Sequence, residues 1–266
     1  MSCEVKYLDE GKIANLILNN PERRNALNDQ MIDEIVQNLE TINLDQQVRV
    51  ILITAIGKSF SAGGDVKAMS AKNEMFGGSS NDLRVSYEFG IQRISRAMER
   101  VRKPMIAVVH AGAVGAGSDF TTMADMRLGC EDTFFAETFN NLALVPGDGG
   151  TYFLPRVIGY AKSMELFLTG RKVLSDEALE IGLLNAIHPR DKLLDEAINL
   201  ARKIAEKPPI ALEMTKKALK HSWKSRDLEQ SLDLLAAYQG ITQRTQDHER
   251  GLNSFFSKEK AQFEGN

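Results

Sequence analysis

An α/β fold ending in a helical C-terminal part is the class that this 266-residue sequence predicts. Three observations carry it. Residues 48–54 and 105–109 are short, apolar and rich in Val and Ile, as strands buried on both faces are, and apolar positions recur at helical spacing between them. Each of these runs precedes a turn of very small residues, at 60–65 and 112–117. Beyond Asp191 strand-like runs cease and only helical periodicity is left. In open α/β sheets ligands bind at the carboxyl ends of strands, which is where both turns would sit.

The elements follow in order. Tyr7, Leu8 and residues 13–18 flank Asp9, Glu10, Gly11 and Lys12 and read as an opening hairpin, which residues 21–24 break. Met31, Ile32, Ile35, Leu39 and Ile42 then lie on one helical face, with Asn28 as N-cap. The strand at 48–54 leads into the first small-residue turn. Residues 70–82 are polar, lack a period and contain Gly77, Gly78, Ser79 and Ser80, so a mobile loop is expected. Tyr87, Ile91, Ile94, Met98 and Val101 mark one helix that ends before Pro104, because the residue preceding proline disfavours the α region. The strand at 105–109 and the second turn follow, then a helix over 118–124 and short strands at 126–129 and 133–136. Helix, strand and turn alternate as far as His188. Pro208 and Pro209 separate the later helices, where Leu228, Leu232, Leu235 and Tyr238 form a stripe that reads as intramolecular core. The division expected is an α/β core over residues 1–195 and a helical region over 196–266.

Composition excludes several classes. With 43% hydrophobic and 26% charged residues the chain is ordinary globular material, enough for one large domain or a domain with a helical appendage. A net charge of −3 and no basic, aromatic-interleaved stripe argue against a nucleic-acid partner. Cys3 and Cys130 are the only cysteines, and His110, His188, His221 and His248 are dispersed, so neither a disulfide framework nor a metal site is expected. No stretch approaches the ~18 apolar residues of a membrane span, and the start lacks a signal-peptide pattern, so a cytoplasmic protein with no membrane partner is expected. Gly57, Lys58 and Ser59 suggest a phosphate loop, but Leu52 stands where its first Gly should be. Residues 115–120 lack the last Gly of a dinucleotide fingerprint, and no Ser is framed as Gly-x-Ser-x-Gly.

Small-residue turns suit a different chemistry. Backbone N–H groups can hold a developing oxyanion only where side chains let a ligand come close. Four blocks carry a resemblance: residues 19–27 (NNPERRNAL), 60–69 (FSAGGDVKAM), 113–117 (AVGAG) and 146–156 (PGDGGTYFLPR), with Phe255, Phe256, Ser257 and Lys258 closing the chain. In this order and spacing they resemble the crotonase superfamily, the enoyl-CoA hydratase/isomerase enzymes. The resemblance implies a crotonase-like (ββα) spiral core, with C-terminal helices that build homotrimers, commonly paired into hexamers. It implies an acyl-CoA thioester as substrate, with no cofactor beyond the coenzyme A that the substrate brings.

By position, the family's two oxyanion donors fall on the N–H groups of Gly64 and Ala116, and its first catalytic acid falls on Asp119. The helix expected from about Gly115 puts Asp119 one turn along on the donor's face. The second acid of the family's hydratases falls on Phe139, which cannot exchange protons. Glu137 lies two residues away and, in an extended segment, on the same side as Phe139. Asp148, in the Gly-rich turn of the fourth block, is the best replacement. Two carboxylates in different environments can divide acid and base work, and Asp119 and Asp148 would be that pair. With one carboxylate lost from its usual place, double-bond migration becomes as plausible as hydration. Arg23, Arg24 and Lys258 are the candidate contacts to the phosphates of coenzyme A. Ala26, Ala62, Asp65 and Val66 complete the expected substrate-binding set. The alternatives are a crotonase-type C–C hydrolase acting on a diketone and a non-catalytic acyl-CoA-binding or assembly protein on the same fold.

Overall fold

The protein is described by a computed structural model that covers residues 2–225 and 227–266. Nine strands form among these residues: β1 (Cys3–Leu8), β2 (Ile13–Leu18), β3 (Val50–Ala55), β4 (Met105–Val109), β5 (Gly112–Val114), β6 (Met126–Gly129), β7 (Phe134–Ala136), β8 (Lys172–Leu174) and β9 (Ala186–Ile187). They make two sheets. The larger runs β1-β2-β3-β4-β6-β9, antiparallel at the opening hairpin and parallel thereafter. The smaller runs β5-β7-β8.

Helices α1 (Asp29–Leu44), α2 (Val66–Ala71), α3 (Ser80–Phe89), α4 (Gln92–Arg100) and α5 (Ala116–Thr122) belong to the first half. In the second half lie α6 (Gly150–Ile158), α7 (Tyr160–Thr169), α8 (Ser175–Glu180), α9 (Leu193–Ala205), α10 (Pro209–Lys224), α11 (Leu228–Thr242) and α12 (Gln246–Ser257). Strand alternation divides the core. Leu16, Leu18, Ile51 and Ile53 meet α1 and α4 through Ile32, Ile35, Leu39, Ile94 and Met98. Their neighbours Ile13, Val50, Leu52, Ile106 and Val108 point the other way, onto Leu193, Ala197, Ala201 and Ala205 of α9. The sheet is therefore covered on both faces, and its strands read as continuous apolar runs for that reason. Asn28 caps α1 as expected, its Oδ1 accepting from the Met31 N–H at 2.9 Å.

Three expectations change. Residues 70–82 are not one loop: α2 ends at Ala71, a 3₁₀ turn spans Glu74–Phe76 with Met75 and Phe76 buried, and Ser79 caps α3 in a capping box with Asp82. Single turns are too short to show a period. The helix expected through residues 87–101 is two helices broken at Gly90, where a Cβ would lie 2.3 Å from the Ser86 carbonyl oxygen. The stripe on α11 is not core within the chain: Leu228 is 68% exposed, and Leu232 and Leu235 are exposed as well. The 195/196 division falls three residues into α9, whose apolar face belongs to the sheet layer.

Candidate active site

The two small-residue turns are fastened together by their backbones. After β3, the Phe60 N–H donates to the Gly112 carbonyl at 2.9 Å, and the Val114 N–H donates to the Ser61 carbonyl at 3.0 Å. A side chain on Gly63, held at φ +83°, would place its Cβ 2.5 Å from the Val114 oxygen and 3.2 Å from the Ala116 nitrogen, and one on Gly117 would meet Ser61 at 2.7 Å. Only glycine permits this approach. Ala116 is the first residue of α5, so its N–H has no partner inside the helix. Neither it nor the Gly64 N–H donates to any described group. Gly64 and Ala116 both line one cavity of about 60 Å³.

That cavity is apolar apart from one end. Met69, Met75, Phe76, Tyr87, Ile91, Phe139, Leu142 and Leu144 make its walls, and Asp148 is the acidic group on its lining. Asp148 sits just before α6, on a turn whose backbone is held by two donors. The Ser95 hydroxyl donates to the Asp148 carbonyl, and Gln92 Nε2 donates to the Gly147 carbonyl at 2.8 Å. Tyr87 lies against Gly147, where a Cβ would come within 2.8 Å of its ring. Burial raises the Tyr87 phenol pKa, and the Asp148 charge raises it further.

Behind Asp148 lie two more carboxyl groups. Asp119, fully buried on α5, is within hydrogen-bonding reach of both Asp148 and Glu137, and Glu137 follows β7 at 2% exposure. None of the six carboxyl oxygens receives a hydrogen bond from a described N–H or hydroxyl; even the Ser118 hydroxyl beside Glu137 falls outside hydrogen-bond geometry. The N–H groups of Asp148 and Gly150 approach Asp148 without making an acceptable bond. Burial raises all three pKa values. For Asp119 the charges of Asp148 and Glu137 add to it, and Glu137 is pushed up to about 8. A buried carboxyl cluster without protein donors is stable only if its members share protons. Among the described residues no three His, Cys, Asp or Glu side chains are arranged to hold a metal ion.

A second, open cleft of about 760 Å³ adjoins the cavity and shares Ala62, Gly64 and Val66 with it. Arg23, Arg24, Ala26 and Asp65 line this cleft. Arg23 is already engaged, its Nη1 lying 3.3 Å from Asp65 Oδ2 and 3.7 Å from Glu74 Oε1. Asp65 also caps α2, accepting from the Lys67 and Ala68 N–H groups. The structure thus brings the expected site residues together with two departures: Lys258 ends α12 with φ +63° and lies outside the cleft lining, and Asp119, expected as the first catalytic acid, is on neither lining but behind Asp148.

Comparison with known proteins places the chain in a family. The family model for enoyl-CoA hydratase/isomerase matches residues 9–266. The chain belongs to the enoyl-CoA hydratase/isomerase family. It is 32% identical over 265 residues to the 1,2-epoxyphenylacetyl-CoA isomerase of Escherichia coli, covering 100% of this chain and 99% of that one. It is 32% identical to the crotonyl-CoA hydratase of Syntrophomonas wolfei, covering 96% and 95%. The crystal structure of an enoyl-CoA hydratase from Bacillus anthracis superposes over 100% of both chains with a TM-score of 0.91 at 30% identity. The crotonase-like α/β fold with its helical C-terminal region is therefore the family's own, and the protein is an enzyme of the hydratase/isomerase class.

This family member departs from its expected site in one respect that the sequence did not reveal. β7 ends at Ala136 and a 3₁₀ turn begins at Phe139, so the segment is not extended through residues 137–139. Glu137 turns into the carboxyl cluster while Phe139 lines the cavity. Gly150 was the signal available for that cluster: a Cβ there would lie 1.9 Å from Asp119 Oδ1. Gly150→Ala is expected to lower stability by about 1–3 kcal/mol, the range for overpacking a dense interior. The urea midpoint measures it, and an unchanged midpoint would mean that Asp119 does not rest on Gly150.

Proposed function

We propose that the protein moves protons on an enoyl-CoA thioester through an enolate. The thioester oxygen accepts from the N–H groups of Gly64 and Ala116, and Asp148, backed by Asp119, takes up and returns the proton. What supports this is the meeting of two unpartnered N–H groups and one carboxyl group on the wall of a single apolar cavity. A proton leaving the carbon next to the thioester leaves its electron pair on the carbonyl oxygen. Preoriented amides stabilise that charge with little reorganisation.

Double-bond migration suits the site better than hydration. Water addition in the family calls on a carboxylate where Phe139 stands, and Phe139 offers a ring to the cavity instead. Arg23 and Arg24 at the cleft mouth suit the phosphates of coenzyme A, and the backbone around Asp65 and Val66 suits its adenine end. The apolar side chains left exposed on α10 to α12, among them Trp223, Leu228, Phe255 and Phe256, support assembly into trimers or hexamers. Lys258 would then serve a cleft completed by another copy.

The test is proton exchange. With a short enoyl-CoA in heavy water, deuterium is expected at the carbon next to the thioester carbonyl or at its vinylogous position, read by mass spectrometry. No uptake across a broad thioester panel would overturn the assignment.

A further inference from the structure

We infer that Glu137 is a positioning residue, the inner member of a three-carboxyl chain in which it holds a proton on Asp119 so that Asp119 can donate its own to Asp148. The inference rests on Asp148 being the group that meets substrate. The geometry is directional: Asp148 faces the cavity, Asp119 lies behind it over Gly150, and Asp119 is the member within reach of both others. Glu137 reaches the chain from β7, Asp119 from α5 and Asp148 from the turn before α6, with Tyr87 of α3 facing Asp148. No Lys, Arg or His among the described residues acts on any of the three. Burial therefore disfavours a second uncompensated charge, and the working cluster we infer holds two protons and one negative charge.

Counting protons gives the roles. With Glu137 protonated, its hydroxyl donates to Asp119, the Asp119 hydroxyl donates to Asp148, and the charge rests on Asp148. Abstraction breaks a carbon–hydrogen bond, forms an O–H bond on Asp148 and leaves the electron pair on the thioester oxygen. Return of that proton to carbon restores the cluster to two protons. Once Glu137 ionises, the Asp119 proton turns towards it instead, and Asp148 loses its donor. Burial pushes Glu137 up to about 8, so this loss falls within reach of an ordinary pH titration.

Two measurements decide it. Infrared spectra of protein carrying carbon-13 glutamate should show one protonated carboxyl band at about pH 6.5 that is gone by about pH 9.5. The other glutamates with resolved shifts, Glu34, Glu99, Glu165, Glu177 and Glu206, are all lowered and ionised there. Exchange by the wild type should fall about tenfold per pH unit above about pH 8, the slope of one lost proton. Glu137→Gln, which cannot ionise and whose amide still donates to Asp119, should bind thioester within about twofold of wild type and show no alkaline limb. Absence of the band at pH 6.5, or an alkaline limb retained in Glu137→Gln, overturns the inference. If the variant does not fold, the wild-type band decides alone. A band without exchange in any thioester would overturn the proposed reaction and leave the proton on Glu137 established.

Discussion

Ala116→Pro is expected to reduce turnover of an enoyl-CoA by at least ~10²–10³-fold, about 3–4 kcal/mol of transition-state stabilisation. The substitution spares the helix while removing the donor and setting the proline Cδ where the N–H pointed. Ala116 is the first residue of α5, the one helical position where proline is favoured, because the N–H it removes has no partner in the helix. Gly115 before it stands at φ 52°, ψ −127°, outside the α region that a following proline disfavours. What disappears is a donor on the cavity wall. Ala116→Gly, which keeps that N–H, is the control and should stay within a few-fold of wild type. Circular dichroism checks the fold, and steady-state kinetics separate kcat from KM. Equal losses in both variants, or an unchanged kcat in Ala116→Pro, would show that this N–H does not serve the transition state.

How far the site could be read in advance follows from what kind of information each part needs. Gly63, Gly115 and Gly117 announce close backbone approach, and that requirement is local, so the two turns and their strands are legible residue by residue. Ala26, Ala62, Asp65 and Val66 follow because they adjoin those turns. The cluster behind Asp148 is a different matter. Glu137 and Asp119 come from different elements, and whether a carboxyl group after β7 points to water or inward depends on where the strand stops. Alternation predicted Glu137 beside Phe139 only for as long as the chain stayed extended. Residues 70–82 misled for a related reason: Met75 and Phe76 are buried by tertiary contacts with the cavity, which leave no periodic trace. The stripe on α11 is periodic, but periodicity reports an apolar face and not what covers it.

The carboxyl cluster also sets stability against activity, and Asp148→Asn tests both at once. Exchange of the substrate proton is expected to fall by ~10²–10⁴-fold, the usual contribution of a positioned general base. The same variant should be more stable than wild type. Asp148 is raised by burial, so its folded-state pKa lies above the unfolded one. A carboxyl group shifted in that direction contributes fully below the unfolded value, near pH 4, and its contribution is lost as pH rises through the folded value. Removing it therefore yields a gain that is small at pH 5 and grows towards pH 8. Urea midpoints at the two pH values measure the gain. The cluster is then a case of stability surrendered where proton transfer needs charge in a buried place. A variant that loses exchange and is also less stable at pH 8 would mean that the Asp148 carboxylate is held by favourable partners, and that its burial is structural support rather than a strained poise.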